Sequence, residues 1–185
     1  MEKTNESIDK DGWLHTGDVG LILPNGALKI IDRKKNLFKL AQGEYLAPEK
    51  IENIYLTSKY VGEVFVHGDS FQTFCIAIVV PDKKKILELS EQLGIKGEYE
   101  GLCKEQKIID KVHEDMNKIG KASGLHGFEL AKKIYLEPTS FVLLDLATPT
   151  LKLKRPPARK HFEEIINKLY AAANEKPSGA EKAAS

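Results

Sequence analysis

Two apolar runs stand either side of Pro24-Asn25-Gly26: Leu21, Ile22 and Leu23 before it, Leu28, Ile30 and Ile31 after it. No other feature constrains the fold as tightly. Asn-Gly is the strongest short hairpin signal because both residues tolerate positive φ. The runs therefore fold back on one another as an antiparallel ribbon. Its open end carries Thr16-Gly17-Asp18 on one strand and Asp32-Arg33-Lys34-Lys35 on the other. A carboxylate at that end accepts two hydrogen bonds from a vicinal diol, and a neighbouring guanidinium donates to the same hydroxyls or to phosphate. Asp18 and Arg33 together suit a nucleotide ribose. Taken without their neighbours, Asp18 reads first as a turn former after Gly17 and the basic run as a solvated charge cluster.

The chain has 185 residues, the size of one domain with appendages, and a hydrophobic fraction of 42% suffices for a core. Lys and Arg number 28 against 27 Asp and Glu, a formal charge of +1, so no global field draws it to nucleic acid. Cys75 and Cys103 show neither CxxC nor metal spacing and read as buried small side chains, which suits a reducing compartment. His15, His67, His113, His126 and His161 have no paired ligand spacing, so no metal site is predicted. No apolar run approaches the roughly 18 residues of a membrane span, and no leader is predicted. Any membrane contact is expected to be peripheral.

Further along, residues 37–40 read as a short strand, followed by Ala41-Gln42-Gly43-Glu44-Tyr45, where Gly43 lets backbone approach a ligand closely. Pro48 suits the first turn of a helix with Ile51, Ile54 and Tyr55 as its apolar stripe. Residues 61–67 and 74–80 read as strands, the second apolar throughout and hence central. Pro81-Asp82 ends it, and a helix from Asp82 carries Ile86, Leu89 and Leu93 before Gly94. Another carries Ile108, Val112, Met116 and Ile119 before Gly120. Residues 123–127 lack the Lys-Ser/Thr ending of a phosphate cradle and read as a connection. Residues 134–136 and 141–144 look strand-like. Then Ala147-Thr148-Pro149-Thr150-Leu151-Lys152-Leu153-Lys154-Arg155 delivers long basic side chains on a loop. Pro156-Pro157 opens a helix with Phe162, Ile165, Ile166 and Leu169 on one face. Residues 152–160 read alternatively as an exposed basic patch facing a membrane or a phosphate-rich partner. After Tyr170 the composition reads as a disordered tail.

Residues 11–35, DGWLHTGDVGLILPNGALKIIDRKK, closely resemble, without a gap, the fatty acyl-CoA synthetase signature of the adenylate-forming enzymes. The resemblance implies that Asp18 binds the adenosine ribose with Arg33 near it, and that Lys35 is the hinge between a large and a small domain. It makes Lys39, Gly43 and Glu44 candidates for the coenzyme A step. The spacing of Lys152, Arg155 and Arg159 is similar to the family's catalytic lysine loop, which nominates Lys152 as the catalytic lysine. Leu151 departs from that pattern, which has Gly there, and Lys154 is the alternative if the alignment slips. By this resemblance the fold is α+β, a small mixed sheet with packed helices. Residues 1–34 would end the large domain, 35–172 form the small one and 173–185 a tail. The implied activity is that of a long-chain fatty acid–CoA ligase, with ATP (and Mg2+) and coenzyme A, and a fatty acid as substrate.

The Ser/Thr/Gly-rich ATP loop and the acyl pocket that precede this signature in the family have no counterpart in the sequence, so the chain resembles the last part of a synthetase. Turnover in isolation is not expected. A non-catalytic interaction module and one half of a split enzyme are the alternatives.

Overall fold

A computed structural model describes residues 7–174. Residues 1–6 and 175–185, the latter most of the segment read as a tail, lie outside the described residues. The opening ribbon pairs β1 (Asp18–Ile22) with β2 (Leu28–Arg33), and a 3-10 turn (Lys34–Asn36) follows. A second, shorter ribbon pairs β3 (Phe38–Lys39) with β4 (Tyr45–Leu46) and leads into α1 (Pro48–Tyr55). Next come β5 (Val61–His67) and β6 (Ile76–Pro81), then α2 (Lys83–Gln92), α3 (Tyr99–Leu102) and α4 (Gln106–Ala122). Strand β7 (Ile134–Leu136) and helices α5 (Arg155–His161) and α6 (Glu163–Asn174) complete the order.

The core forms around β6, which is buried at every position. It pairs antiparallel with β5 and parallel with β7. A parallel neighbour needs a long crossover, and α2, α3 and α4 supply it. Strand side chains alternate between faces. Accordingly Ala77 and Val79 join Val64, Val66, Ile134 and Leu136 in one apolar cluster, covered by Ile51 and Tyr55 of α1, Ile86 of α2 and Val112 and Met116 of α4. Ile76, Ile78 and Val80 join Phe65 in a second cluster on the other face, covered by Ala158, Phe162, Ile166 and Tyr170. The result is helix, sheet, helix: the mixed α+β architecture expected from the sequence.

Local chemistry explains the element ends. Asp82 accepts a hydrogen bond from Lys85 N at 2.9 Å and so caps α2. Helix α1 begins with Pro48 at a position where no amide hydrogen is required, but its own N-cap, Ala47, offers no side-chain acceptor. A distant residue fills that role, as described below.

Four expectations are corrected. In the first hairpin only Gly26 adopts positive φ, at 82°; Asn25 instead accepts from Ala27 N through its side chain. Residues 141–144 form turns rather than a strand. Phe141 and Leu146 are buried while Leu143 is 80% exposed, so the run has anchors at its ends but no alternating face. Gly120 does not end α4, which continues to Ala122; a Cβ there would lie 2.7 Å from Leu130 Cδ2. The stop falls to Gly124, at φ 79°. Finally, the C-terminal helix breaks at Phe162, whose burial between α5 and α6 turns the chain, and α6 runs past Tyr170 to Asn174.

Candidate functional site

The ribbon brings Asp18 and Arg33 face to face. They are opposite residues in the β1–β2 register, and Arg33 Nε lies 2.9 Å from Asp18 Oδ1. Arg33 Nη1 also donates to Thr16 O at 2.9 Å, and Lys34 N donates to Gly17 O at 2.8 Å. Gly17 takes φ 74°, a conformation that folds the 16–18 turn back on the basic strand. Thr16, Gly17, Arg33, Lys34 and Lys35 line an open cleft of about 550 Å³. An exposed ion pair of this kind adds little stability. What it provides is a guanidinium lining the cleft with a carboxylate paired to it, and Lys35 in the adjoining 3-10 turn. A ribose hydroxyl pair and a phosphate fit that donor and acceptor set.

Beneath this pair sits Asp32, 2% exposed, which the sequence reading treated only as part of the charged run. Its Oδ1 accepts from Arg33 N at 2.6 Å and from Asn36 Nδ2 at 3.1 Å, and its Oδ2 accepts from Glu49 N at 2.9 Å. Asp32 is thus the missing acceptor at the N-terminus of α1, reached across the chain. It ties the ribbon to the helical body.

Lys39, Gly43 and Glu44 lie together on the second ribbon. Lys39 pairs with Tyr45, its Nζ 5.8 Å from the ring centroid. Gly43 turns the chain at φ 92°, and the space a Cβ would occupy is open. Its requirement is therefore the backbone angle rather than crowding. Leu40 N donates to Glu44 O at 2.8 Å, and Gln42 Nε2 donates to Thr73 O at 3.0 Å, which docks the loop on the β5–β6 connection.

Lys152 is exposed on a separate loop. An isolated bridge joins Ala147 and Leu153; Thr148 N donates to Lys152 O at 2.8 Å, and Lys152 N donates to Thr148 Oγ1 at 3.0 Å. Leu151 adopts φ 60°, so the position where the family pattern has Gly is one that demands a left-handed residue. Three of the surrounding basic residues are in ion pairs. Lys154 Nζ lies 2.7 Å from Asp145 Oδ1, Arg155 Nη2 lies 2.5 Å from Glu52 Oε2, and Arg159 lies 3.9 Å from Asp69. Among the described residues the Lys152 ammonium has no such partner. Nor does any hydrogen bond or ion pair there join its loop to the Asp18–Arg33 pair.

Glu52 was missed from the sequence. It falls on the buried face of α1 between Ile51 and Tyr55, and a lone carboxylate on an apolar stripe was the available signal. Burial raises its carboxyl to about 7, against the opposing pull of the Arg155 guanidinium. His67 packs among Phe38, Phe65 and Tyr170, and burial pushes it down to about 4, aided by Arg159 and opposed by Asp69. Cys75 is enclosed and held up near 12 by burial, an inert thiol. Among the described residues no cluster of His, Cys, Asp or Glu could hold a metal ion. No helix there is long and apolar enough to cross a membrane.

No family model matches the chain. Curated proteins do. Mouse long-chain-fatty-acid–CoA ligase 5 is 53% identical over 175 residues, covering 94% of this chain and 26% of the ligase. Human long-chain-fatty-acid–CoA ligase 1 is 55% identical over 170 residues, 91% of this chain and 24% of the ligase. The chain is homologous to part of the long-chain-fatty-acid–CoA ligases. It spans about a quarter of the length of these ligases. Solved structures agree on the fold. The adenylation domain of a Mycobacterium chelonae carboxylate reductase superposes with a TM-score of 0.79 at 32% identity, over 92% of this chain and 25% of that one. The corresponding Segniliparus rugosus domain, solved with AMP and a co-purified carboxylic acid, gives 0.77 at 28% identity, over 92% and 25%. The ligase-like chain thus has the adenylate-forming fold.

Proposed function

We propose that this chain is the C-terminal portion of a long-chain fatty acid–CoA ligase, in which residues 1–34 end the large domain and residues 35–172 form the small one. The observation that carries the reading is the pairing of Asp18 with Arg33, which lines an open cleft, in a chain whose Lys152 has no ion-pair partner among the described residues. In the whole enzyme a fatty acid carboxylate oxygen attacks the α-phosphorus of ATP, pyrophosphate leaves, and the thiol of coenzyme A then displaces AMP from the acyl carbon. Asp18 holds the ribose and Arg33 orients it. Lys152 neutralises charge where carboxylate and α-phosphate meet, a contribution that grows as water is excluded. Lys154 is already engaged by Asp145, which supports Lys152 as the lysine that reaches substrate. Rotation about Lys35, which releases Asp32 from Glu49 N, then presents Lys39, Gly43 and Glu44 to coenzyme A. The described residues offer no carboxylate cluster for Mg2+, so no step here is assigned to it.

The partner this reading requires is the ATP-binding portion of the synthetase. Its docking surface is the ribbon, which leaves Trp13 73% and Ile22 75% exposed, together with Leu14, Leu28 and Ile30. Work in the cytoplasm or peripherally on an organelle membrane belongs to the same proposal. The test is a chimera in which this chain replaces the matching quarter of mouse ligase 5. Acyl-CoA formation from a long-chain fatty acid is expected in the chimera and not in the isolated chain. A folded chimera without that activity, or turnover by the isolated chain, contradicts the proposal.

A further inference from the structure

We infer that Glu52 is a positioning residue for the Lys152 loop, acting through Arg155, an inference that rests on the reading of Lys152 given above. The loop is closed on itself by the Ala147–Leu153 bridge and the two Thr148–Lys152 hydrogen bonds. Its shape is therefore internal. Where that shape points is decided by its two stems. The first stem ends at buried Leu146, whose carbonyl accepts from Lys154 N at 2.8 Å. The second is Arg155, three residues after Lys152; Leu153 and Ala158 on either side of it pack against the second core cluster, and its own side chain is held by hydrogen bonds and an ion pair.

Glu52 and Arg155 straddle one residue of β5. Val66 N donates to Glu52 Oε1 at 2.8 Å, while Arg155 Nη1 approaches Val66 O at 3.5 Å and Nη2 donates to Glu52 Oε2 at 2.5 Å. The pair closes a ring through helix α1, strand β5 and the start of α5. Only a planar, forked donor meets both acceptors at once, so Arg155 is not replaceable by Lys. The two side chains are 13% and 11% exposed, and an ion pair so enclosed seldom repays its desolvation. The raised Glu52 carboxyl is consistent with that cost. Stability does not account for the pair; fixing the direction of the loop stem does.

The test uses Glu52→Gln, a near-isosteric change. The glutamine amide must present its NH2 either to the guanidinium or to Val66 N, donor against donor in both cases. Amide hydrogen exchange of the 185-residue chain at pH 8 is expected to show at least a tenfold loss of protection at Lys154, whose N–H joins the two stems through Leu146 O, with Thr148, Lys152 and β6 unchanged. Arg155→Lys is expected to give the same local loss. Unchanged protection at Lys154 in both variants overturns the inference. In the ligase chimera, Glu52→Gln is expected to lower kcat of adenylation about tenfold at unchanged KM for ATP, leaving thioester formation from supplied acyl-adenylate intact. Equal loss in both half-reactions marks a merely structural role and overturns it. If Lys152→Ala abolishes adenylation and Glu52→Gln does not, the inference alone fails. If neither matters, the Lys152 reading fails and takes the inference with it.

Discussion

Replacing Asp32 by alanine is expected to cost the fold about 3 kcal/mol, and the sum can be worked from its contacts. Loss of the acceptor for Glu49 N at the start of α1 removes a cap, about 1 kcal/mol. Removing a negative charge from a helix N-terminus adds about 0.5 kcal/mol. Of the other two donors, Asn36 Nδ2 keeps its 2.8 Å bond to Glu49 Oε1, whereas Arg33 N loses its 2.6 Å acceptor. Leaving a partly buried donor unpaired costs about 1–2 kcal/mol. Asp32→Asn keeps one acceptor oxygen but turns its NH2 toward either Arg33 N or Glu49 N, donor against donor, and is expected to lose about as much. The assay is urea unfolding of the chain followed by circular dichroism. With an m-value of about 2 kcal/mol/M, Asp32→Ala lowers the midpoint by about 1.5 M at unchanged slope. A shift under about 0.3 M would refute the assignment of Asp32 as a tie between ribbon and body.

The remaining expectations concern the core, its titration and the Lys152 loop. Tyr55→Phe removes the hydroxyl that accepts from buried Ala131 N at 2.9 Å and is expected to cost about 1–3 kcal/mol by the same unfolding assay. His67 and Glu52 oppose each other in pH dependence. Between pH 4 and 6.5 the unfolded chain binds the His67 proton more readily than the folded one, so stability falls as pH is lowered. Between pH 4.5 and 7 the folded chain binds the Glu52 proton more readily, so stability falls as pH is raised. Unfolding midpoints of the parent are therefore expected to be nearly flat across pH 4.5–6.5 as far as these two groups are concerned. Glu52→Gln should leave the His67 limb and His67→Phe the Glu52 limb; variants with the slopes reversed would contradict the burial argument. Leu151→Gly relieves a left-handed leucine worth about 1–2 kcal/mol against about 0.5–1 kcal/mol of added chain entropy, so it is expected to be neutral to slightly stabilising. Leu151→Val is expected to destabilise, and the two midpoints compared side by side check the sign.

Elements with strong local signals were legible from the sequence. The apolar run of β6, the Pro48 start of α1 and the hairpin that joins Asp18 to Arg33 each follow from residues within a few positions of one another. What was not legible depends on partners far apart in the chain. Asp32 caps a helix that begins at Pro48, and Glu52 meets Arg155 from the opposite end of the chain; neither contact leaves a periodic trace. Gly120 shows the same limit. As a sequence symbol it marks a helix end, and only the approach of Leu130 and Leu125 reveals it as a packing position. The apparent strand at residues 141–144 misled because hydrophobicity alone does not say that Val142 and Leu143 face outward. In the site, the resemblance nominated Lys152, and the structure adds that Lys154 pairs with Asp145 and Arg155 with Glu52, contacts no local pattern foretells.

The most direct test of the central claim is the ATP–pyrophosphate exchange rate of the ligase chimera with Lys152→Ala. Exchange is expected to fall by about two to three orders of magnitude, the size of loss seen when a positioned charge-stabilising group is removed, while acyl-CoA still forms from supplied acyl-adenylate. Exchange that persists at the parent rate would contradict the assignment of this chain as the lysine-bearing portion of a fatty acid–CoA ligase.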